Sequence, residues 1–528
     1  MLHLAAGAAL ALGGWLFPRH IAGASWASWR AVVLDAAPFT LGAVLLGLAT
    51  GRPLFAGVII AALGAGFALA DYTMRETLHE PVVFSESVEL PQLFTHPHLY
   101  LPFAGPGLVI GGALGAAAAA VGLLFVEPSV WTPRPLAALA VVAAIGGFGW
   151  LGAREPLLGA LGAAMRRFRP SGDAYSDATA FGPFGSIAVH TIIARAERAE
   201  RHRALGLAAP PIIREVGDAA VPIIIVQCES FFDARRLSAL VPRDFLGGFD
   251  ACCASAARYG RLEVPGWGAN TMRAEFAVLS GVPESALGYD RFNPYYALAR
   301  VPLESQVWRL RRAGYRTVCL HPFDPRFFRR DLVMPALGFE QFLGREAFGA
   351  PNRPPFCSDQ ELAGHILRVL DDEGGRSFLF AITMGNHGPW LGTQPPLDPA
   401  VARLFDPADV PNGAELLRYL DGVRRSDEML QILVDGLRRR GSPALLAFYG
   451  DHLPSLSASF RHFGFDEPHS DYVIWPGAAS IKGATSIKDG APVRQDLPSH
   501  ELGRLVVDMA LAPAAGEAAD RSACLAPS

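Results

Sequence analysis

The first third of the chain is strongly apolar, and this uneven distribution constrains the fold more than any other feature. Of the 528 residues, 51% are hydrophobic, and nearly all of the excess lies before about residue 165. A helix needs roughly 20 apolar residues to cross the hydrocarbon core of a bilayer. Five apolar runs, almost free of internal charge, approach this length, at residues 1–17, 31–50, 54–69, 101–126 and 135–153. The sequence therefore predicts a bundle of about five transmembrane helices over residues 1–155.

The ends of these runs carry aromatic and basic residues that bear on placement in a bilayer. Aromatic residues near the ends, as in an interfacial belt, are Trp15, Trp26, Trp29, Tyr100, Trp131 and Trp150. Loop arginines are concentrated on the side of the C-terminal half, at Arg19, Arg30, Arg75, Arg154, Arg166, Arg167 and Arg169. The positive-inside rule would place that half in the cytoplasm. Residues 156–215 are predicted to form an interfacial helix and a linker.

From residue 216 onward, β-branched runs alternate with amphipathic helical stretches. Strands are predicted at residues 222–228, 315–320, 377–383, 444–449 and 472–475, and helices at residues 304–313, 359–371 and 413–440. This alternation predicts an α/β domain with a largely parallel sheet over residues 216–528. Ligands of such domains bind beyond the carboxyl ends of the strands, so the residues that follow the strands are the candidates for a site.

Acidic residues and a histidine follow two of these strands. Glu229 comes directly after the first strand, and Asp451 with His452 comes after the fourth. Two carboxylates and an imidazole suit a divalent cation such as Mn²⁺, Zn²⁺ or Mg²⁺ better than a soft metal. The pattern predicts a metal site at the edge of the sheet.

Basic and imidazole side chains follow the other two strands. His321 and Arg330 come after the second strand, and His387 comes after the third. Because the carboxyl ends of parallel strands meet at one edge, we expect these residues in the same cleft as the acids. There they would supply charge and hydrogen-bond donors to phosphoryl oxygens.

Thr271 is the candidate nucleophile. It lies in a glycine-rich turn, residues 266–270, that opens into an apolar run compatible with a helix. The free N–H groups at the start of a helix favour an anion. Threonine alone is a poor nucleophile, but coordination to a cation would activate its hydroxyl. On the local sequence, Asn270 or Thr271 could equally be a plain N-cap.

Together these clusters resemble the lipoteichoic acid synthase and phosphoglycerol transferase family of the alkaline phosphatase and sulfatase superfamily. The resemblance rests on Glu229-Ser230-Phe231, the Thr271 turn, His321 through Asp331, Asn386 through Trp390 and Phe448 through His452. It implies an N-terminal transmembrane bundle followed by a sulfatase-like α/β domain. It also implies that one divalent cation, Mn²⁺ before Mg²⁺ or Zn²⁺, is bound by Glu229, Thr271, Asp451 and His452.

By the same resemblance, Thr271 would carry a glycerophosphoryl intermediate. The residues expected to line the headgroup pocket are His321, Phe328, Arg330 and His387, with Ser455 as the nearest candidate for a further contact. Phe328 stands where the family often has tryptophan, so a stacking surface remains but an N–H donor is lost.

The resemblance further implies a phosphatidylglycerol donor, a glycan or polymer acceptor, and a multi-pass protein of the bacterial inner membrane. Its catalytic domain would be periplasmic or extracellular, opposite to the side that the arginine count indicates. We give the site match more weight, because large domains translocate regardless of loop charge. A net charge of -4 gives no sign of a nucleic-acid partner.

Other functions remain open on the sequence. A phosphoethanolamine transferase would share the metal and the threonine but use another headgroup. A sulfatase needs a C-x-P-x-R motif, which the sequence lacks, and a phosphodiesterase-type hydrolase is a further alternative. A membrane scaffold with a degenerate domain would be expected to have lost at least one of the candidate ligands.

Overall fold

The computed structural model describes residues 1–205, 221–299, 303–349, 356–391, 396–441, 443–477 and 491–511. The chain forms two compact units. The helical unit comprises Met1–His202 with Gly288–Phe292, and the α/β unit comprises Arg203–Leu287 with Asn293–Ser528. The predicted segment boundary at residue 215 lies outside the described residues, and the boundary at residue 155 stays a prediction.

The helical unit contains ten α-helices among the described residues. They are α1 Leu2–Ile21, α2 Trp29–Thr50, α3 Pro53–Leu78, α4 Leu90–Thr95, α5 Pro97–Ala104, α6 Pro106–Val126, α7 Pro135–Gly152, α8 Leu157–Arg166, α9 Ala174–Phe181 and α10 Pro183–Ala204. Within this part of the chain, α2, α3, α6 and α7 are long and apolar enough to cross a membrane. The first predicted span is the helix α1, but it carries His3, Arg19 and His20, and the structure thus has four such helices instead of five.

Two expected boundaries in this unit differ from the structure. The fourth predicted span is interrupted at Gly105, whose φ of 74° separates α5 from α6. The third predicted span, at residues 54–69, continues in the structure as α3 to Leu78, and a 3-10 helix at Phe84–Val88 and α4 follow it. Prolines that begin α5 and α6 explain the interruption, because proline favours the first turn of a helix and lacks the N–H that would continue the preceding one.

A buried carboxylate ties the helices of this unit together. Asp35 of α2 accepts hydrogen bonds from Trp15 Nε1 at 2.8 Å and from Arg19 Nη1 at 2.9 Å. It also accepts from the backbone N–H groups of Phe184 and Gly185 at 2.9 and 3.1 Å. One side chain therefore neutralises a buried arginine and satisfies free N–H groups in the first turn of α10.

The α/β unit is built on a mixed sheet. Its strands are β1 Ile223–Cys228, β2 Arg258–Glu263, β3 Arg316–Leu320, β4 Gln341–Leu343, β5 Ser377–Ile382, β6 Leu445–Gly450, β7 His469–Trp475, β8 Val493–Arg494 and β9 Leu497–Pro498. The order is β4-β3-β5-β1-β6-β7-β2-β8, with β9 also paired to β2. The first five strands of this order, β4, β3, β5, β1 and β6, are parallel to one another. Strand β7 is antiparallel to its two neighbours, β6 and β2.

The remaining helices are α11 Gly247–Cys253, α12 Thr271–Ser280, α13 Glu284–Leu287, α14 Pro294–Leu298, α15 Gln306–Arg312, α16 Arg330–Leu337, α17 Arg345–Phe348, α18 Asp359–Glu373, α19 Gly413–Arg440, α20 Ser457–His462 and α21 Ser499–Leu511. Every residue of β1, β5 and β6 is buried, as expected for strands covered by helices on both faces. The five predicted strands correspond to β1, β3, β5, β6 and β7. The polar β2 was not predicted, because its arginines and glutamate give no apolar run.

Gly450, the last residue of β6, has no room for a side chain. A Cβ at this position would lie 1.7 Å from the carbonyl oxygen of Phe231. Gly450→Ala is therefore expected to destabilise the protein by at least about 3 kcal/mol, since backbone must move to relieve the overlap. Thermal unfolding of the purified chain measures the effect.

Gly364 of α18 provides the matched control. A Cβ there would meet no atom within 4 Å, so Gly364→Ala is expected to leave stability unchanged or raise it by about 1 kcal/mol. Equal melting temperatures for Gly450→Ala and the wild type would contradict the close approach at the end of β6.

Candidate active site

Adjacent parallel strands bring the three predicted protein ligands together. Glu229 follows β1, and Asp451 and His452 follow β6, with Cys228 paired to Gly450 in the register of the two strands. One ligand atom from each of the three side chains lies within 4.8 Å of the others, and all three residues are buried. The parallel register thus creates the cluster that the sequence predicted.

The hydrogen bonds of His452 fix which ring nitrogen faces the cluster. Its Nδ1 lies 2.9 Å from the carbonyl oxygen of Leu453, to which it can only donate. Nε2 is then free to act as a ligand, at 3.4 Å from Glu229 Oε1 and 3.5 Å from Asp451 Oδ2. A ring nitrogen held by a carbonyl on its far side is a common arrangement for a metal-binding histidine.

Thr271 joins this cluster from the start of α12. Its hydroxyl lies 3.4 Å from His452 Nε2, and the N–H of Gly268 donates to the Leu453 carbonyl at 2.8 Å, which holds the turn against the strand end. Asn270 has a φ of 66° and makes no capping hydrogen bond through its side chain. Asn270 thus occupies the N-cap position of α12 without a side-chain cap, and Thr271 is the first helical residue, beside the acids.

The donor set fits a divalent cation. Asp451 Oδ1 accepts from the N–H groups of Ser230 and His452, each at 2.9 Å. Asp451 Oδ2 is buried and makes no hydrogen bond within the described residues. A buried carboxylate oxygen without a donor is costly unless a cation binds it. Glu229 Oε1 accepts one hydrogen bond, from the Ser230 hydroxyl at 3.0 Å, which orients the carboxylate.

The electrostatics of the cluster favour positive charge. Burial, with a contribution from Glu229, raises the pKa of Asp451, although His452 opposes the shift. Burial opposes the charging of His452, yet the carboxylates of Asp451 and Glu229 raise its pKa. Without a cation, the cluster thus holds protons that a metal ion would displace.

A second cluster forms around Glu275, one helical turn after Thr271. Its carboxylate accepts from Arg330 Nε at 3.0 Å and from Arg330 Nη2 at 2.9 Å, a bidentate pair. It also accepts from the Tyr295 hydroxyl at 2.5 Å and from Gln227 Nε2 at 3.2 Å. The predicted pocket arginine is therefore buried, and its charge is balanced within the protein.

Two other predicted pocket residues adjoin Arg330. Its Nη1 donates to His321 Nε2 at 3.3 Å, while His321 Nδ1 donates to the Ile382 carbonyl at 3.3 Å. Burial and the neighbouring guanidinium hold the pKa of His321 well below its usual value, so its ring is neutral. The Phe328 ring lies over the guanidinium, with its centroid 5.3 Å from the central carbon. His321 in this arrangement orients the arginine.

His387 and Ser455 are not joined to these clusters by any hydrogen bond among the described residues. His387 is half-buried, and its Nδ1 donates to the Gly388 carbonyl at 2.5 Å. It is near enough to His321 to contribute to the lowered pKa of that ring. The hydroxyl of Ser455 is buried and makes no hydrogen bond in the described parts of the chain, which leaves it available to a ligand.

The sequence reasoning missed Glu275 and Ser230. The signal for Glu275 was a single acid four residues after Thr271, just before the apolar run, which is a costly position for an unpaired charge. Ser230 has a φ of 54°, and its carbonyl accepts from the Tyr419 hydroxyl at 2.7 Å. Serine rarely adopts a positive φ, so the sequence does not indicate the left-handed conformation of Ser230.

Any binding of a divalent cation such as Mn²⁺ by this cluster is expected to weaken with acidity. The pKa of Asp451 is raised to about 7, so its ionised form is lost as the pH falls through neutrality. Because ligands bind in their deprotonated form, affinity should drop by about tenfold per pH unit for each proton released. Calorimetric titration of the chelator-treated protein with Mn²⁺ on either side of neutrality measures this, and a flat profile would contradict it.

Glu275→Gln is expected to destabilise the protein by about 3–5 kcal/mol, because Arg330 would remain buried without its counter-charge. The control is Glu346→Gln, which removes an exposed acid paired with Arg345 at 3.0 Å and should leave the melting temperature unchanged. The double variant Glu275→Gln/Arg330→Met should recover part of the loss. A single variant as stable as the wild type would contradict the assigned ion pair.

Comparisons with known proteins agree with this architecture. Residues 256–483 match the family model described as Sulfatase. The chain is 34% identical over 389 residues to the capsular polysaccharide biosynthesis protein RkpI of Rhizobium meliloti (strain 1021), covering 71% of this chain and 62% of that protein. It is 30% identical over 246 residues to a putative cyclic β-1,2-glucan modification protein of the same organism, covering 46% and 37%. The chain thus spans less than two thirds of the length of these curated relatives.

Among solved structures, the integral membrane lipooligosaccharide phosphoethanolamine transferase A of Neisseria meningitidis has a similar fold. The similarity covers 96% of this chain and 94% of that one, with a TM-score of 0.55 and 14% sequence identity. Apolar N-terminal helices and a following α/β domain are thus combined in both proteins. Residues 256–483 thus match the Sulfatase family model, and the four apolar helices α2, α3, α6 and α7, each long enough to cross a membrane, precede this region.

Proposed function

We propose that the chain is a metal-dependent phosphoglycerol transferase that moves glycerol phosphate from phosphatidylglycerol to a glycan or polymer acceptor. The observation that carries the proposal is the Thr271 hydroxyl, 3.4 Å from His452 Nε2 in a buried cluster with Glu229 and Asp451. A nucleophile beside such ligands at the start of a helix suits attack on a phosphodiester.

Glu229, Thr271, Asp451 and His452 would hold the cation, Mn²⁺ before Mg²⁺ or Zn²⁺. When bound, it would neutralise phosphoryl charge and lower the pKa of a coordinated hydroxyl. The protein itself excludes water from this point, because the Glu229, Asp451 and His452 side chains are all buried. Ser230 and Leu453 keep the carboxylate and the imidazole in place.

The proposed reaction has two displacements at phosphorus. In the first, Thr271 Oγ loses its proton and bonds to phosphorus, while the bond from phosphorus to the diacylglycerol oxygen breaks and diacylglycerol leaves with a proton. In the second, a hydroxyl of the acceptor loses its proton and bonds to the same phosphorus, while the bond from phosphorus to Thr271 Oγ breaks and Thr271 Oγ regains a proton. The glycerophosphoryl group is thus carried on Thr271 between the two steps.

The headgroup would bind beside the Glu275 cluster. The Phe328 ring gives an apolar face, and His387 and Ser455 bring polar groups not tied to other side chains of the site. His321 and the balanced Arg330 would fix the shape of the pocket and contribute donors on the free edge of the guanidinium.

The acceptor is proposed to be a glycan. The names of two relatives, a capsular polysaccharide biosynthesis protein and a putative cyclic β-1,2-glucan modification protein, support this choice. Phosphatidylglycerol and a cell-envelope glycan would meet on the outer face of the inner membrane. We therefore propose that the α/β unit is periplasmic or extracellular.

Thr271→Ala is expected to lower transfer by about 1,000-fold or more, because the covalent route needs the hydroxyl. Thr271→Ser should retain activity, and Thr132→Ala, an exposed threonine, should behave as the wild type. The assay follows release of diacylglycerol from labelled phosphatidylglycerol by the purified full chain with Mn²⁺. Binding of Mn²⁺ and the melting temperature of each variant are measured beside it.

The outcomes separate the alternatives. Release from phosphatidylglycerol by the wild type, Thr271→Ser and Thr132→Ala, but not by Thr271→Ala, would support the proposal. Release from phosphatidylethanolamine instead would assign an ethanolamine phosphate headgroup. Silence on both lipids, or full activity of Thr271→Ala, would overturn the transferase mechanism.

A further inference from the structure

The helical unit contains a cavity close to the start of α10. It is formed by the loop between α1 and α2, the last turn of α8 and the helix α9, and its volume is about 640 Å³. The N–H of Ser25 donates to the Thr179 carbonyl at 2.7 Å, which fixes the loop against α9. Cavities of this size in proteins commonly bind small molecules.

The polar lining of this cavity is positively charged. Arg30 and Arg167 line it, both are exposed, and neither forms an ion pair with a carboxylate among the described residues. By contrast, the neighbouring arginines Arg19 and Arg166 pair with Asp35 and Glu197. None of the described residues that line the cavity is acidic, so two positive charges face it unopposed.

Hydroxyl groups and an apolar wall complete the lining. Ser28 and Ser176 bring hydroxyls, whereas Met165, Phe168 and Phe181 bring apolar surface. Arginine guanidinium groups together with hydroxyls are the groups that proteins use to bind phosphate. The apolar wall has no counterpart in a free phosphate ion, but it matches the glycerol and upper acyl region of a lipid.

The position of the cavity indicates which phosphate compound reaches it. Trp26 and Trp29, in the same loop and at the start of α2, are 60% and 70% exposed. Exposed tryptophans at the end of an apolar helix mark the level of the lipid headgroups. The phosphates of the bilayer therefore lie at the height of Arg30 and Arg167.

We propose that this cavity binds the phosphate of a phospholipid headgroup, with Arg30 and Arg167 as the cationic contacts. The site lies entirely within the helical unit. It goes beyond the proposed transfer reaction and does not depend on it, because no residue of the Thr271 cluster takes part.

Photo-crosslinking of the full chain in vesicles tests the site. The probe is phosphatidylglycerol with a diazirine close to the headgroup, and crosslinked peptides are mapped by mass spectrometry. Crosslinks are expected within residues 157–181. The double variant Arg30→Gln/Arg167→Gln should need about 25-fold more probe for the same yield of crosslinks, because each arginine contributes about fivefold to the affinity. Arg134→Gln, an exposed arginine of the α6–α7 loop, should leave them unchanged.

Two additional measurements distinguish a bound lipid from a bound soluble anion. Ala164→Trp fills the cavity without changing its charge and should also remove the crosslinks. Competition with inorganic phosphate at constant ionic strength should have no effect, and displacement by phosphate would mean that the cavity takes a soluble anion. The melting temperature of the arginine double variant shows whether it is folded. The proposal is also overturned if this variant is folded and crosslinks like the wild type. The readout needs no turnover, so failure of the transferase assay leaves it intact.

Discussion

The buried carboxylate of Glu275 is the interaction on which the geometry of the α/β unit most depends. It receives hydrogen bonds from Arg330 of α16, Tyr295 of α14 and Gln227 of β1, and it lies on α12 with Thr271. A carboxylate and a guanidinium buried together are stable only when both are fully hydrogen-bonded, which restricts these elements to one arrangement. The positions of Thr271 and Arg330 are therefore coupled through one side chain.

The cluster of Glu229, Asp451 and His452 depends on a different constraint, the close pairing of β1 and β6. Gly450 lets β6 approach the chain after β1, so that Glu229 and Asp451 emerge side by side. Two carboxylates at this separation raise one another's affinity for positive charge. Backbone N–H groups donate to Asp451 Oδ1, while Oδ2 accepts no hydrogen bond within the described residues. The same packing therefore concentrates negative charge and leaves one carboxylate oxygen available to a cation.

In the helical unit, the arginines have distinct structural uses that a count of loop charges does not separate. Arg19 is buried against Asp35, and Arg75 pairs with Asp71 at 2.7 Å. The first pair joins α1 to α2 and the second lies within α3, whereas Arg30 and Arg167 face a cavity. The arginine content of this end therefore follows largely from packing and from the lining of the cavity. It is a weak argument for a cytoplasmic α/β unit.

The sequence by itself determined the apolar helices, the strands β1, β3, β5, β6 and β7, and the grouping of Glu229, Asp451 and His452 at one edge of the sheet. Apolar runs and residues that directly follow strands are local patterns, and parallel strands must end at a shared edge. Only the tertiary structure decided that Arg330 is balanced by Glu275. Partners of a buried charge lie far apart in sequence, here 55 residues, and their pairing follows from how whole helices pack.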